Sequence, residues 1–179
     1  TLDPKHLAAL TQDGVLGVFP GLGDLMREVA GLMPWGSLVN IDYGEWFAGL
    51  RPADERWGVQ GRAQRRRTLR GYLKHQMVVD PLVRAGRQDL TADVDFAALD
   101  LHGRRERFET VLFTTLGRFL RGGGADEELQ ALRASDGPPS TARPVPDRLE
   151  ADRQATVLRN LMDEDDVGSA FKVMVQVRG

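Results

Sequence analysis

The feature that most constrains this chain is a change of hydrophobic period near its start. Between Leu22 and Met33 the apolar residues Leu22, Leu25, Met26, Val29, Leu32 and Met33 recur at helical spacing, with Asp24, Arg27 and Glu28 on the opposite side. Pro34 stops that helix and Trp35-Gly36 turns the chain. Ser37 to Asp42 follows as a short, largely apolar stretch, which predicts a strand buried on both faces, as in a parallel sheet. Helix followed directly by buried strand predicts an α/β fold.

Size allows one such unit. A chain of 179 residues, 41% hydrophobic and 28% charged, can bury a core without a metal or disulfide to hold it. It has no cysteine, hence no disulfide framework, thiolate zinc site or cysteine nucleophile, and the cytoplasm is the expected compartment. Apolar runs such as Val111-Leu112-Phe113 fall far short of the roughly 18 residues of a membrane span, so no membrane partner is expected. A net charge of −2 supplies no global field for nucleic acid.

Further elements can be placed along the chain. Residues 44–66, rich in glycine, predict an irregular excursion, and Thr68 to Val79 a strand or extended hairpin. Asp95 is placed to cap a short helix over Phe96 to Leu101, and Phe108 to Thr114 reads as a second core strand. Gly122-Gly123-Gly124 ends whatever Leu116 to Leu120 forms. A proline-rich loop, expected to be flexible, is placed at about 135–147, followed by a helix over Leu149 to Met162 and an acidic turn at 163–166. Phe171, Val173, Val175 and Val177 alternate as in a closing strand. The whole, residues 1–179, reads as one α/β unit.

Several residues are candidates for chemistry. Asp42 and Tyr43 fall at the carboxyl end of the first strand, where open α/β sheets place their ligands, although a polar residue ending a strand also serves as a turn former. Gly44 reads as a tight exit from that strand. His75 is a candidate for proton transfer, as a residue type suited to it near neutral pH, or is a surface residue. No second histidine lies at ligand spacing, so no metal site is expected. Arg62, Arg65, Arg66, Arg67, Arg70 and Lys74 form a basic stretch that reads as a solvated loop or a phosphate or RNA contact. Tyr72 is the only aromatic residue near its end, which disfavours nucleic acid.

Three segments carry a family resemblance. They are Gly36-Ser-Leu-Val-Asn-Ile-Asp-Tyr-Gly44; Thr68-Leu-Arg-Gly-Tyr72 with Lys74-His75 and Asp80-Pro81, continuing from Gly86 to Phe96; and Gly168-Ser-Ala-Phe-Lys-Val173. In this order they resemble the C-terminal part of MidA-type methyltransferases, relatives of the mitochondrial arginine methyltransferase that helps assemble respiratory complex I. The resemblance implies a class I, Rossmann-like sheet with flanking helices, S-adenosyl-L-methionine (SAM) as methyl donor, and a protein arginine side chain as acceptor. Asp89, Asp93 and Asp95, with Thr91 between them, then become candidates to hold a guanidinium, since carboxylates bind arginine bidentately. The alternative is that Asp95 caps a helix and the others form turns.

The family pattern is incomplete here. A glycine-rich turn after a first strand, and an acidic residue for the ribose hydroxyls, are not seen. Gly17 to Gly23 follows no buried strand, and Gly122 to Gly124 is a bare glycine run. The chain opens on Thr1, not Met, and the expectation is that it represents the second half of the fold. No cofactor-binding residue is assigned within it. A half-sheet leaves an open edge and an uncovered face, so an N-terminal half or a second copy is the expected partner besides the substrate. The competing reading is a non-catalytic remnant or protein-binding module that has lost the SAM-binding half.

Overall fold

A computed structural model describes residues 19–46, 69–78, 80, 82–84, 86–134 and 145–179. The chain divides into two compact units. The described part of the first consists of residues up to Phe113 together with Met174–Gly179, and the second is drawn from Thr114–Val173. Most of the irregular excursion at 44–66, Arg62 to Arg67 of the basic stretch, and 135–144 of the proline-rich segment lie outside the described residues.

The first unit opens with α1 (Leu22–Leu32) and β1 (Gly36–Glu45). α1 buries Met26 and Ala30, while Leu22, Val29 and Met33 pack at the rim of the core. Leu25 and Leu32, part of the same apolar pattern, are exposed. After the described gap come β2 (Leu69–Leu73), β3 (Gln76–Val78), β4 (Asp89–Ala92), β5 (Val94–Asp95) and α2 (Phe96–Arg105). β6 (Glu109–Thr115) and the closing β7 (Phe171–Arg178) complete a four-stranded sheet ordered β5-β1-β7-β6. β2 lies between β3 and β4 in a separate three-stranded sheet, antiparallel to both. The expected α/β architecture, a sheet flanked by helices, is present.

β1 departs from expectation in two ways. It is not buried on both faces: Leu38 packs into the core, whereas Val39 and Ile41 are 47% and 49% exposed. The sequence lacks polar alternation because Val and Ile occupy the outward positions as well. The strand also runs on through Gly44, which is therefore not its exit. Gly44 pairs with Val94 of β5 in parallel register, and a Cβ built on it would run into the Val94 carbonyl oxygen. The glycine is there for close backbone approach.

α2 begins where its cap predicts. Oδ1 of Asp95 accepts from the amides of Ala97 at 3.0 Å and Ala98 at 3.1 Å, satisfying donors that a helix start leaves open. The helix continues past Leu101 to Arg105 and buries Phe96, Ala97 and Leu99. Phe96, Leu99, Phe108, Phe113 and Met174 join Met26 and Ala30 in one core. Phe113 meets Phe96 and Trp46 with ring centroids 5.2 Å apart in each pair.

Polar groups tie the helices to the sheet. Gln176 donates to Thr110 Oγ1 at 3.3 Å, and Thr110 donates in turn to Asp100 of α2 at 2.7 Å. Arg178 donates from β7 to the carbonyls of Ala30 and Met33, meeting acceptors left open at the end of α1.

In the second unit, α3 (Leu116–Gly122), α4 (Ala125–Ala134), α5 (Val145–Met162) and α6 (Val167–Ala170) follow one another. α5 starts at Val145, so the last residues of the expected proline-rich loop are helical, consistent with Pro146 sitting in a first turn where its missing N–H is not needed. Thr115 caps α3 by accepting from Arg118 N, and donates to the Glu164 carboxylate at 2.8 Å. Arg121 donates to Met162 O at 2.9 Å, holding the end of α5. The acidic turn after Met162 is present, with short α6 between it and β7.

Candidate functional site

The carboxyl end of β1 gathers residues from three elements of the first unit. Parallel pairing of Gly44 with Val94 and Glu45 with Asp95 sets β5 beside it. Asp93 stands at the joint between β4 and β5, and Arg70 lies opposite Thr91 across the β2–β4 pair. From there the Arg70 guanidinium donates through Nη2 to Oδ1 of Asp93 and lies over the Tyr43 ring, 5.9 Å from its centroid. Tyr43, Arg70 and Asp93 form one constellation.

Burial explains the pairing. The Asp93 side chain is 2% exposed and that of Arg70 21%. A carboxylate so far from water is tolerated when a cation and hydrogen bonds replace its hydration. Nε of Arg70 is also buried and has no hydrogen-bond partner among the described residues. Asp93 therefore pairs with an internal cation of this chain, Arg70. Asp42 is the exposed carboxylate here; its Oδ1 accepts from the Tyr43 amide at 2.7 Å.

His75 and Asp89 are not part of this constellation. His75 shares with Lys74 the turn joining β2 to β3, with φ of 65° and 50°, and its side chain is exposed. Two consecutive positive φ values are what a tight hairpin turn of the primed type requires. The turn begins beyond Leu73, three strand steps or about 10 Å from Arg70. Asp89 is exposed on β4, opposite Tyr72.

Arg70 is the residue that sequence reasoning misassigned. Within an arginine-rich stretch it reads as one more solvated cation. The structure sets it on a strand whose register directs it to Asp93. The available signal was Asp93 itself, flanked by the apolar Ala92 and Val94.

The position beside Gly44 is filled by the Val94 backbone, and a Cβ on Gly23 would meet the His102 ring at 2.9 Å. No group of three or more metal-ligating side chains occurs among the described residues. No described helix is long and apolar enough to cross a membrane.

Comparison with known proteins gives the arrangement a family. Residues 6–114 match the family model described as "Putative S-adenosyl-L-methionine-dependent methyltransferase". A search of curated proteins gives no match. Among solved structures, the chain is similar to an uncharacterized COG1565 superfamily protein from Burkholderia thailandensis, at 29% identity and a TM-score of 0.59, over 87% of this chain and 36% of that one. It is also similar to a COG1565 superfamily member from the same organism bound to S-adenosyl-homocysteine, at 27% identity and a TM-score of 0.58, over 87% of this chain and 35% of that one. The chain thus spans about a third of the length of these structures. With more than half of its residues covered by the model, the chain belongs to this family of SAM-dependent methyltransferases.

Proposed function

We propose that this chain supplies the acceptor side of a SAM-dependent protein methyltransferase and that the acceptor is an arginine side chain, in a cytoplasmic setting. The observation that carries this reading is the Tyr43 ring, which already lies under a guanidinium, that of Arg70; Asp42, next in sequence, adds an exposed carboxylate that accepts from the Tyr43 amide. An aromatic face suits a planar cation through the ring quadrupole, and an exposed carboxylate suits one through charge-assisted hydrogen bonds. Methyl transfer to arginine needs its nitrogen held in a defined direction, and positioning of this kind is what such a pair provides. Family membership supports the donor, while the specificity for arginine rests on Asp42 and Tyr43.

Within this reading the Arg70–Asp93 pair is support. It fixes the joint of β4 and β5 beside β1 and keeps the Tyr43 ring from turning away. Asp42 and Tyr43 would then contact the acceptor.

Calorimetric titration of an arginine-containing peptide and its lysine-substituted counterpart into this chain tests the acceptor. Saturable binding of the arginine peptide, weakened by Asp42→Asn and by Tyr43→Ala, is expected. Equal binding of both peptides, or binding indifferent to both substitutions, would overturn it.

A further inference from the structure

The chain has two tyrosines, Tyr43 and Tyr72, and both stand beside Arg70. In the three-stranded sheet Tyr72 of β2 is opposite Asp89 of β4 and opposite Met77 of β3. Residues directly opposite in antiparallel pairs leave the same face, about 5 Å apart. Arg70, two residues from Tyr72, leaves that face as well. Its side chain is the one that reaches Tyr43 and Asp93. The row of Asp89, Tyr72 and Met77 is therefore on the side of the small sheet that faces the end of β1. Asp89 is exposed, Met77 is 68% exposed and Tyr72 is half-buried. Asp89 makes no ion pair among the described residues, and Arg70, the nearest cation along β2, is engaged by Asp93. Lys74 and Arg87, each two residues beyond the pair, lie in a turn and a bend.

We propose that Tyr72 and Asp89 form a second cation subsite, which holds a further arginine of the acceptor polypeptide beside the one to be methylated. The proposal rests on the reading that the acceptor is a protein arginine. The molecule itself supplies the precedent. Arg70 is held by the ring of one tyrosine, Tyr43, and the carboxylate of one aspartate, Asp93. Tyr72 and Asp89 repeat those two residue types across a single strand pair, with the carboxylate turned to solvent. The carboxylate offers a charge-assisted hydrogen bond and the ring its quadrupole. Met77 adds a pliable apolar contact for the methylene stem of the bound side chain. Tyr72 lies two strand steps from Arg70, about 7 Å, a length that an extended polypeptide spans in roughly two residues. The subsite thus reads a basic residue close in sequence to the methylated one and selects arginine-rich acceptor segments.

Calorimetric titration of this chain with glycine-alanine peptides tests it. One peptide carries a single arginine, and its counterparts carry a second arginine roughly two residues away on either side. The better-placed second arginine is expected to tighten binding about fivefold, the size of one exposed cation–π contact joined to one exposed ion pair. In Asp89→Asn and in Tyr72→Leu, each with an unchanged far-ultraviolet spectrum, that ratio falls to about twofold, the statistical gain of offering two equivalent arginines. Gln76→Ala, on the other face of β3, leaves the ratio unchanged. In Asp89→Lys a glutamate in the second position binds more tightly than an arginine there. A merely statistical gain in the unsubstituted chain, or a ratio indifferent to the substitutions at Asp89 and Tyr72, would overturn the proposal. Binding of the two-arginine peptide that depends on Asp89 but not on Asp42 or Tyr43 would keep the subsite and sink the arginine-acceptor reading.

Discussion

Arg70 of β2 donates to Asp93, a buried carboxylate at the joint of β4 and β5, and thereby ties the three-stranded sheet to the end of β1. Neither partner tolerates loss of the other. Asp93→Asn and Arg70→Met are each expected to destabilise the chain by about 2–3 kcal/mol, less than the loss of a fully buried ion pair because Arg70 is partly exposed. Urea unfolding checks this. The double variant Arg70→Met/Asp93→Leu should lose less than the sum of the single changes, since no buried charge is left behind.

The β2–β3 turn yields a prediction of opposite sign. Lys74 and His75 both hold positive φ, which side chains with a Cβ adopt at a cost. His75→Gly should raise stability by about 1 kcal/mol, read as an increase in the urea midpoint with unchanged slope. A stability loss would show that the imidazole makes a contact worth more than the backbone strain.

Gly44 has no room for a side chain. Gly44→Ala must push β1 and β5 apart at Val94, and is expected to cost about 2 kcal/mol or more. Thermal unfolding measures it. Gly86, which has a positive φ and open space around it, provides a contrast: alanine there strains the backbone without any clash.

Asp95→Ala should cost about 1 kcal/mol through loss of the α2 cap, while Asp95→Asn, which keeps an acceptor for Ala97 and Ala98, should cost much less. Equal losses for the two variants would mean that the charge of Asp95, more than its acceptor, holds the helix start.

Local patterns were legible where local physics decides. The α1 periodicity, the Asp95 cap, the hairpin near 68–79 and the alternation of β7 all follow from neighbours in sequence. α4 escaped notice because Ala125–Ala134 is acidic at its start with few large apolar residues. The burial of β1 was misread for a different reason. Apolar residues on both sides of a strand signal two covered faces, yet Val39 and Ile41 remain exposed. Tyr43 and Asp93 were both legible as site candidates, but not their connection. Arg70 and Asp93 are 23 residues apart and meet only because β2 and β4 pair in one particular register.

The central claim, that the end of β1 presents an arginine acceptor to a SAM-derived methyl group, is tested most directly by label transfer. The assay uses tritiated SAM and a protein in which this chain replaces the matched part of the S-adenosyl-homocysteine-bound Burkholderia thailandensis relative. Acid hydrolysis of the labelled acceptor should return methylarginine. The initial rate should fall at least about tenfold with Tyr43→Ala or Asp42→Asn and less than about twofold with His75→Gly. Label on another residue type, no label, or an equal loss from all three substitutions would contradict the account.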